Sequence, residues 1–259
     1  IVSLPYNNLE NSIKILKSVK NDLAAVIIEP VLGGGGCIPA TKEYLIGIEE
    51  FCHKNNSLLI LDEIVTGFRF RYGCIYNKMN LDPDIVTLGK IVGGGFPIGV
   101  ICGKNEFMNY ANTSVYSKSN RAYIGGGTFS ANPLTMIAGN STLATIKNKG
   151  NVFYRKINKF GTETRKMLDK KFNGRVITTG TGSLFLTHFL SNSITEIKNA
   201  TDAAKCNIKK LHDYHFHMIA NDEIFFMPGK LGAFSDVHSK SDIINMAKST
   251  DRFLTKFKK

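Results

Sequence analysis

Two residues of opposite charge end apolar segments of this sequence. Asp62 follows the run Leu58-Leu-Ile-Leu, and Lys90 closes the segment DIVTLGK at residues 84–90. An unpaired buried carboxylate is costly, so a cation is expected near Asp62. Because ligands of open α/β sheets bind beyond the carboxyl ends of the strands, we expect both groups at that edge.

The lysine has a possible use beyond an ion pair, because the glycines 93–95 follow it closely. Partial burial lowers the pKa of an amine and frees it to form an imine with a carbonyl. Pyridoxal phosphate chemistry needs such a lysine, together with a carboxylate that keeps the pyridine nitrogen protonated. From Asp62 and Lys90 alone, this chemistry and a structural ion pair are about equally supported.

The surrounding pattern predicts an α/β sheet followed by an α+β region. Helices are predicted over 9–19 and 41–56, the second capped by Thr41, and strands over 24–30, 58–63, 84–90 and 97–103. Further on, the pattern predicts helices over 132–149, 151–172, 200–219 and 241–257, antiparallel strands at RVITTG and SLFLTHFL, and a short strand at EIFFM. We therefore expect a large domain over 1–145 and a small C-terminal α+β domain over 146–259.

Three stretches together resemble the class III pyridoxal-phosphate-dependent aminotransferases. They are LLILDEIVTGFR (58–69), PDIVTLGKIVGGGFPIGV (83–100) and GGGTFSANPLTMIAGNSTL (125–143). Within the family, the nearest likeness is to glutamate-1-semialdehyde 2,1-aminomutases. The likeness covers only the later part of such an enzyme, so an N-terminal part is expected to be missing. It implies a fold-type I transferase whose mixed, mainly parallel sheet is incomplete here and precedes the smaller α+β domain.

The resemblance also implies roles for four residues. Lys90 would be the catalytic residue that holds pyridoxal 5'-phosphate as a Schiff base and moves the proton. Asp62 would bind the pyridine nitrogen, and Ile64 would pack against the ring. Thr128 would bind the cofactor phosphate of the partner subunit, which implies a homodimer with a shared active site.

Two departures from the aminomutases bear on the reaction. Gly34 stands where those enzymes have an asparagine near the phenolic oxygen of the cofactor. Lys230, eight residues before His238, stands where they have a glutamate. Both changes favour a transaminase that acts between an amino donor and an oxo or aldehyde acceptor. The aminomutase reaction and an inactive module used only for dimerisation are the alternatives.

The composition argues against several other classes of protein. The net charge is +12, but the lysines are spread along helical stretches, which favours solvated faces over nucleic-acid binding. No apolar run approaches the ~20 residues of a membrane helix. The five cysteines are scattered and form no C-x-x-C pair, which indicates a reducing cytoplasm.

Other candidate sites are weaker. None of the glycine runs fits a nucleotide-binding motif, and the run 33–36 is as compatible with a plain flexible loop as with a phosphate site. His212, His215 and His217 could bind a metal, but no acid or cysteine stands at ligand spacing, which favours surface histidines and no metal. Cys102 is expected in the core rather than as a nucleophile.

Overall fold

The computed structural model describes residues 1–117, 119–123, 127–191 and 194–256. Its strands are β1 (Ala25–Ile28), β2 (Val31–Leu32), β3 (Ile38–Pro39), β4 (Leu58–Asp62), β5 (Ile85–Gly89), β6 (Gly99–Gly103), β7 (Val176–Thr179), β8 (Leu184–Phe189) and β9 (Gly232–Ala233). Its α-helices are α1 (Leu9–Val19), α2 (Lys42–Lys54), α3 (Tyr76–Met79), α4 (Asn105–Met108), α5 (Pro133–Phe172), α6 (Ala200–Ala204), α7 (Ile208–Asp222) and α8 (Lys240–Lys256).

The larger sheet has the order β1-β4-β5-β6. The first two pairings are parallel and the last is antiparallel, which confirms the predicted mixed, mainly parallel sheet. Leu59, Leu61 and Val86 are buried on one face. On the opposite face the side chains of β4 are only half-buried, and Ile27 of β1 is 63% exposed.

The helix boundaries follow local capping chemistry. The side chain of Thr41 accepts a hydrogen bond from the backbone N–H of Tyr44 at 3.2 Å, which confirms the predicted start of α2. Asn8 caps α1 in the same way, through the N–H of Asn11. The break predicted between two long helices is also present, because Gly150 leaves helical geometry inside α5 with φ 62° and ψ −158°.

The smaller sheet, β7-β8-β9, is antiparallel throughout. Its core is aromatic: the ring centroids of Phe172 and Tyr214 lie 5.5 Å apart, and those of Tyr214 and Phe253 lie 5.1 Å apart. The hydroxyl of Tyr214 is buried and shares a hydrogen bond of 2.7 Å with the hydroxyl of Thr250. This pair satisfies the one polar atom that the tyrosine brings into the core.

Two predicted elements are wrong in this region. The helix predicted over 200–219 is two helices, α6 and α7, because Asn207 caps a new start by accepting from the N–H of Lys210 at 2.9 Å. The segment EIFFM is not a strand. Glu223 ends α7 in the left-handed region at φ 54°, and Phe226 then packs into the core instead of entering the sheet.

Close packing divides the chain into two compact units. One unit comprises residues 1–30 and 41–150, and the other comprises residues 31–40 and 151–259. The division into domains 1–145 and 146–259 stays a prediction. Within the described ranges, none of the helices has the length and apolar character that crossing a membrane requires.

Candidate active site

Asp62 is the last residue of β4 and lies half-buried at the carboxyl end of the sheet. Its Oδ1 atom accepts a hydrogen bond of 3.0 Å from the backbone N–H of Ile64, so the carboxylate folds back over the turn that follows the strand. This bond fixes the direction of the side chain and leaves Oδ2 available for a ligand group.

The neighbouring acid, Glu63, is the one that is fully buried. Its carboxylate accepts hydrogen bonds from the N–H of Ile75 at 2.8 Å, the N–H of Tyr76 at 3.0 Å and the hydroxyl of Thr66 at 3.0 Å. Burial raises the pKa of Glu63, and these hydrogen bonds oppose that rise. The buried carboxylate is thus compensated chiefly by backbone donors rather than by Lys90, and it closes the loop between residues 63 and 76.

Lys90 follows β5 directly and begins a 3-10 turn that ends at Gly93. Its backbone is left-handed, with φ 50°, a conformation that costs a non-glycine residue roughly 1–2 kcal/mol. Such strain persists only where the surroundings fix it, and it is common at functional sites. The side chain is exposed, so the expectation of partial burial is not met in this chain.

Asp62 and Lys90 lie at the carboxyl ends of neighbouring parallel strands, as the sequence predicted. Asp62 is opposite Thr87, and Lys90 is three residues after Thr87. No ion pair within 4 Å joins Asp62 and Lys90 in the described part of the chain, which argues against the structural ion pair. The hydroxyl of Thr87 is buried without a hydrogen-bond partner, so an unsatisfied polar atom stands on the strand beside Asp62.

Ile64 lies in the turn after β4, half-buried, and not on the strand itself. A Cβ atom at Gly89 would lie 3.4 Å from Cγ2 of Ile64, so the isoleucine packs against the residue that precedes Lys90. The structure therefore brings Asp62, Ile64 and Lys90 together around one edge of the sheet.

Thr128 is not part of that group in the described residues. It is exposed in a turn that precedes α5, where the N–H of Ser130 donates to the carbonyl of Gly127 at 2.9 Å. Gly125 and Gly126, which belong to the third glycine run, lie outside the described residues. The predicted role of Thr128 toward a partner subunit stays a prediction.

The glycine run 33–36 ends in a fixed position. The hydroxyl of Thr179 donates to the carbonyl of Gly36 at 2.6 Å, and Nε2 of His188 lies 3.0 Å from the same oxygen. Burial lowers the pKa of His188 and so favours its neutral form. Gly34 has open space around it, with no atom within 4 Å of a Cβ built there. Both interpretations of the run, a plain flexible loop and a phosphate site, stay predictions.

Two minor expectations are corrected. His215 and His217 are buried, not surface residues, because α7 turns both toward the core. No group of three His, Cys, Asp or Glu side chains suited to a metal occurs in the described ranges. Cys102 is exposed on β6, because that strand is the edge of the sheet.

The residues at the sheet edge suit pyridoxal phosphate. A half-buried carboxylate matches a protonated pyridine nitrogen, and an exposed lysine amine in a constrained turn matches the aldehyde. Asp62, Ile64 and Lys90 would hold the cofactor, which supplies an electron sink for bonds broken at the substrate carbon when it is bound. The unsatisfied hydroxyl of Thr87 is a buried polar atom beside Asp62 that the sequence alone did not reveal, because a strand threonine carries no distinguishing signal.

The fold and this edge define a fold-type I pyridoxal-phosphate-dependent transferase. The β-phenylalanine aminotransferase of Variovorax paradoxus superposes with a TM-score of 0.86 at 25% identity, over 98% of this chain and 57% of that one. A transaminase with PLP bound superposes with a TM-score of 0.82 at 26% identity, over 100% of this chain and 59% of that one.

The chain belongs to the class III aminotransferase family. The sequence profile described as "Aminotransferase class-III" matches residues 4–220. Glutamate-1-semialdehyde 2,1-aminomutase of Flavobacterium psychrophilum is 35% identical over 227 residues, which are 86% of this chain and 50% of that protein. The predicted family and the likeness to aminomutases are thus confirmed. The chain spans about half the length of the curated relatives it matches.

Proposed function

We propose that the whole protein transfers an amino group between an amino donor and an oxo or aldehyde acceptor, using pyridoxal 5'-phosphate. One observation carries the proposal. Asp62 and Lys90 follow neighbouring parallel strands at their carboxyl ends and are not consumed in an ion pair with each other. A lysine and a carboxylate left free in this arrangement are the two protein groups that the chemistry requires.

Each residue then has a defined task. The amine of Lys90 would hold the cofactor aldehyde and would move the proton at the substrate carbon. Asp62 keeps the pyridine nitrogen protonated, and Ile64 packs against the ring from its position beside Gly89. Thr128 binds the cofactor phosphate of a partner subunit, so the protein acts as a homodimer with a shared active site.

Borohydride trapping tests this proposal directly. The protein at its natural length would be mixed with pyridoxal phosphate, reduced with borohydride, digested and mapped by mass spectrometry. We expect the pyridoxyl group on Lys90, no label in Lys90→Ala, and normal labelling in the control Lys78→Ala, whose side chain is exposed. A label on another lysine of the wild-type protein would refute the assignment.

The aminomutase reaction is the second candidate, and the identity to the Flavobacterium enzyme supports it. An aminomutase keeps its intermediate bound while the amino group moves between adjacent carbons. Gly34 and Lys230 instead support transfer between molecules: Gly34 has no side chain where the aminomutases have an asparagine, and Lys230 is exposed and able to pair with an acidic substrate.

A two-part assay separates these candidates. The protein would first receive glutamate-1-semialdehyde alone, and then a panel of amino donors with oxo or oxo-sugar acceptors. Transfer that requires an added donor is the expected result. Efficient formation of 5-aminolevulinate without a donor would establish the aminomutase, and cofactor attachment with neither reaction would favour the inactive dimerisation module.

Location and domain organisation complete the proposal. The five cysteines are all free, which supports a reducing cytoplasm. We propose that residues 1–145 are the later part of the large cofactor-binding domain and that residues 146–259 form the small C-terminal domain. Limited proteolysis followed by mass spectrometry tests this division through the position of the first cuts.

A further inference from the structure

The turn that carries Lys90 packs against α5 through backbone atoms. A Cβ atom at Gly139 would lie 2.3 Å from the carbonyl oxygen of Val92, and one at Gly94 would lie 2.4 Å from the carbonyl oxygen of Ala138. The obstacle in both cases is backbone and not the end of a flexible side chain. The contact therefore accepts no side chain at Gly139 or at Gly94 unless the helix or the turn moves.

The two glycines are needed for different reasons. Gly94 ends the turn in the left-handed region, with φ 59°, so its backbone conformation alone favours glycine. Gly139 has ordinary helical geometry, since only Gly150 departs from it inside α5. In such a position glycine costs about 0.5–1 kcal/mol relative to alanine. What requires glycine at position 139 is thus the close approach to the Lys90 turn.

The same helix holds the turn that contains Thr128. The side chain of Asn132 accepts from the N–H of Thr135 at 3.0 Å and donates to the carbonyl of Phe129 at 2.9 Å, which ties that turn to the start of α5. Asn132 and Gly139 are 139 − 132 = 7 residues apart, about 10 Å along a helix. One rigid element therefore connects the two turns.

We propose that Gly139 is a positioning residue for Lys90. Because Gly139 has no side chain, the backbone of α5 contacts the turn 90–94 directly, and this contact fixes the position of the Lys90 amine. This inference rests on the proposed function of Lys90. Because the lysine is exposed and its own side chain makes no ion pair in the described residues, the backbone of the turn sets its position.

The test compares Gly139→Ala with Gly99→Ala, a control in which an added Cβ meets no atom within 4 Å. Thermal unfolding without cofactor checks that each variant is folded. The first readout is the rate of borohydride-trapped labelling of Lys90 by pyridoxal phosphate. The second is the pH dependence of the absorbance of the attached cofactor, which a loss of stability alone does not shift. The third is hydrogen exchange of peptides spanning 90–94 in the cofactor-free protein.

We expect Gly139→Ala to label Lys90 at least about tenfold more slowly, since displacements near 1 Å can cost more than this. Its absorbance titration is expected to shift and exchange at 90–94 to rise, while Gly99→Ala matches the wild type. A wild-type protein that is not labelled at Lys90 refutes the proposed function itself. Normal labelling and an unchanged titration in folded Gly139→Ala refute the positioning role alone.

A second variant covers the case in which Gly139→Ala does not fold. Ala138→Gly adds no atom at the contact but loosens the helix where it meets Gly94, at a cost of the order expected for a helical glycine. It is expected to remain folded, to label Lys90 more slowly and to raise exchange at 90–94. Wild-type behaviour in all three measurements would overturn the proposal.

Discussion

The carboxylate of Glu63 accepts a hydrogen bond of 2.8 Å from the backbone N–H of Ile75, twelve residues along the chain. With the donors Tyr76 and Thr66, this bond satisfies a side chain that has no exposure to solvent. Glu63 therefore has a structural role, whereas its neighbour Asp62 is only half-buried at the carboxyl end of β4.

Glu63→Gln tests that role. The amide places an NH₂ group where the carboxylate accepts from the backbone N–H groups of Ile75 and Tyr76, so one buried N–H loses its acceptor and stability is expected to fall by about 1–3 kcal/mol. Urea unfolding at neutral pH measures the change, with the exposed Glu106→Gln as the control. An unchanged unfolding midpoint in Glu63→Gln would contradict the structural role.

Asp62→Asn is expected to impair the chemistry while leaving the fold largely intact. Without the negative charge, the pyridine nitrogen is no longer held protonated, so the half-reaction with an amino donor should slow by more than tenfold, or about 1.4 kcal/mol. Stopped-flow absorbance of the protein at its natural length gives the rate, and Asp22→Asn, at an exposed position, is the control. A smaller loss would show that Asp62 is not the partner of the nitrogen.

His215 is expected to make stability depend on pH. Burial lowers its pKa to about 4, with a further contribution from His212, and the N–H of Gly229 donates to its Nδ1 at 3.1 Å. Between about pH 6.5 and 4, His215 is protonated in the unfolded chain and neutral in the folded chain. The free energy of unfolding should therefore fall through this window as pH is lowered, by roughly 3 kcal/mol.

Urea unfolding at a series of pH values would measure this dependence. His215→Gln should lack the component between these pH values, while the exposed His53→Gln should retain it. Parallel stability curves for wild type and His215→Gln would show that another group is responsible.

Asp222 is expected to stabilise the packing of α7 against α8 through hydrogen bonds. It accepts hydrogen bonds from Ser249 and Arg252 of α8, and although its burial opposes ionisation, these bonds give it a lowered pKa. Asp222→Ala leaves a buried hydroxyl without its acceptor, so a loss of about 1–3 kcal/mol is expected in urea unfolding. Asp213→Ala, whose partner Lys209 is exposed, should cost less than about 1 kcal/mol. Equal losses of stability in the two variants would argue against this role of Asp222.

The sequence predicted the elements whose signals are local. The first helix, the Thr41 cap and the strand that ends at Asp62 are found as expected, and the next strand ends at Gly89, one residue before Lys90, because capping residues and apolar runs decide them. EIFFM has the composition of a strand, but packing of Phe226 against His215, with ring centroids 4.6 Å apart, overrides that preference.

Part of the site was also predicted, because its residues carry local signals in the sequence. Asp62 and Lys90 are marked by their place at strand ends, and parallel pairing then brings them to one edge. The different fates of Asp62 and Glu63 could not be predicted, because they depend on donors at residues 75 and 76 that only the folded loop supplies. The contact of Gly139 with Val92 likewise joins segments far apart in sequence.

The segment 31–40 has a consequence for any attempt to divide the gene. It leaves the first unit after Pro30, supplies the second unit with the carbonyl of Gly36 that Thr179 and His188 bind, and returns at Thr41. A single cut at Gly150 would therefore give a C-terminal product that lacks one of its own strand pairs. Only a genetic fusion that restores residues 31–40 would let that half be expressed with its polar interior complete.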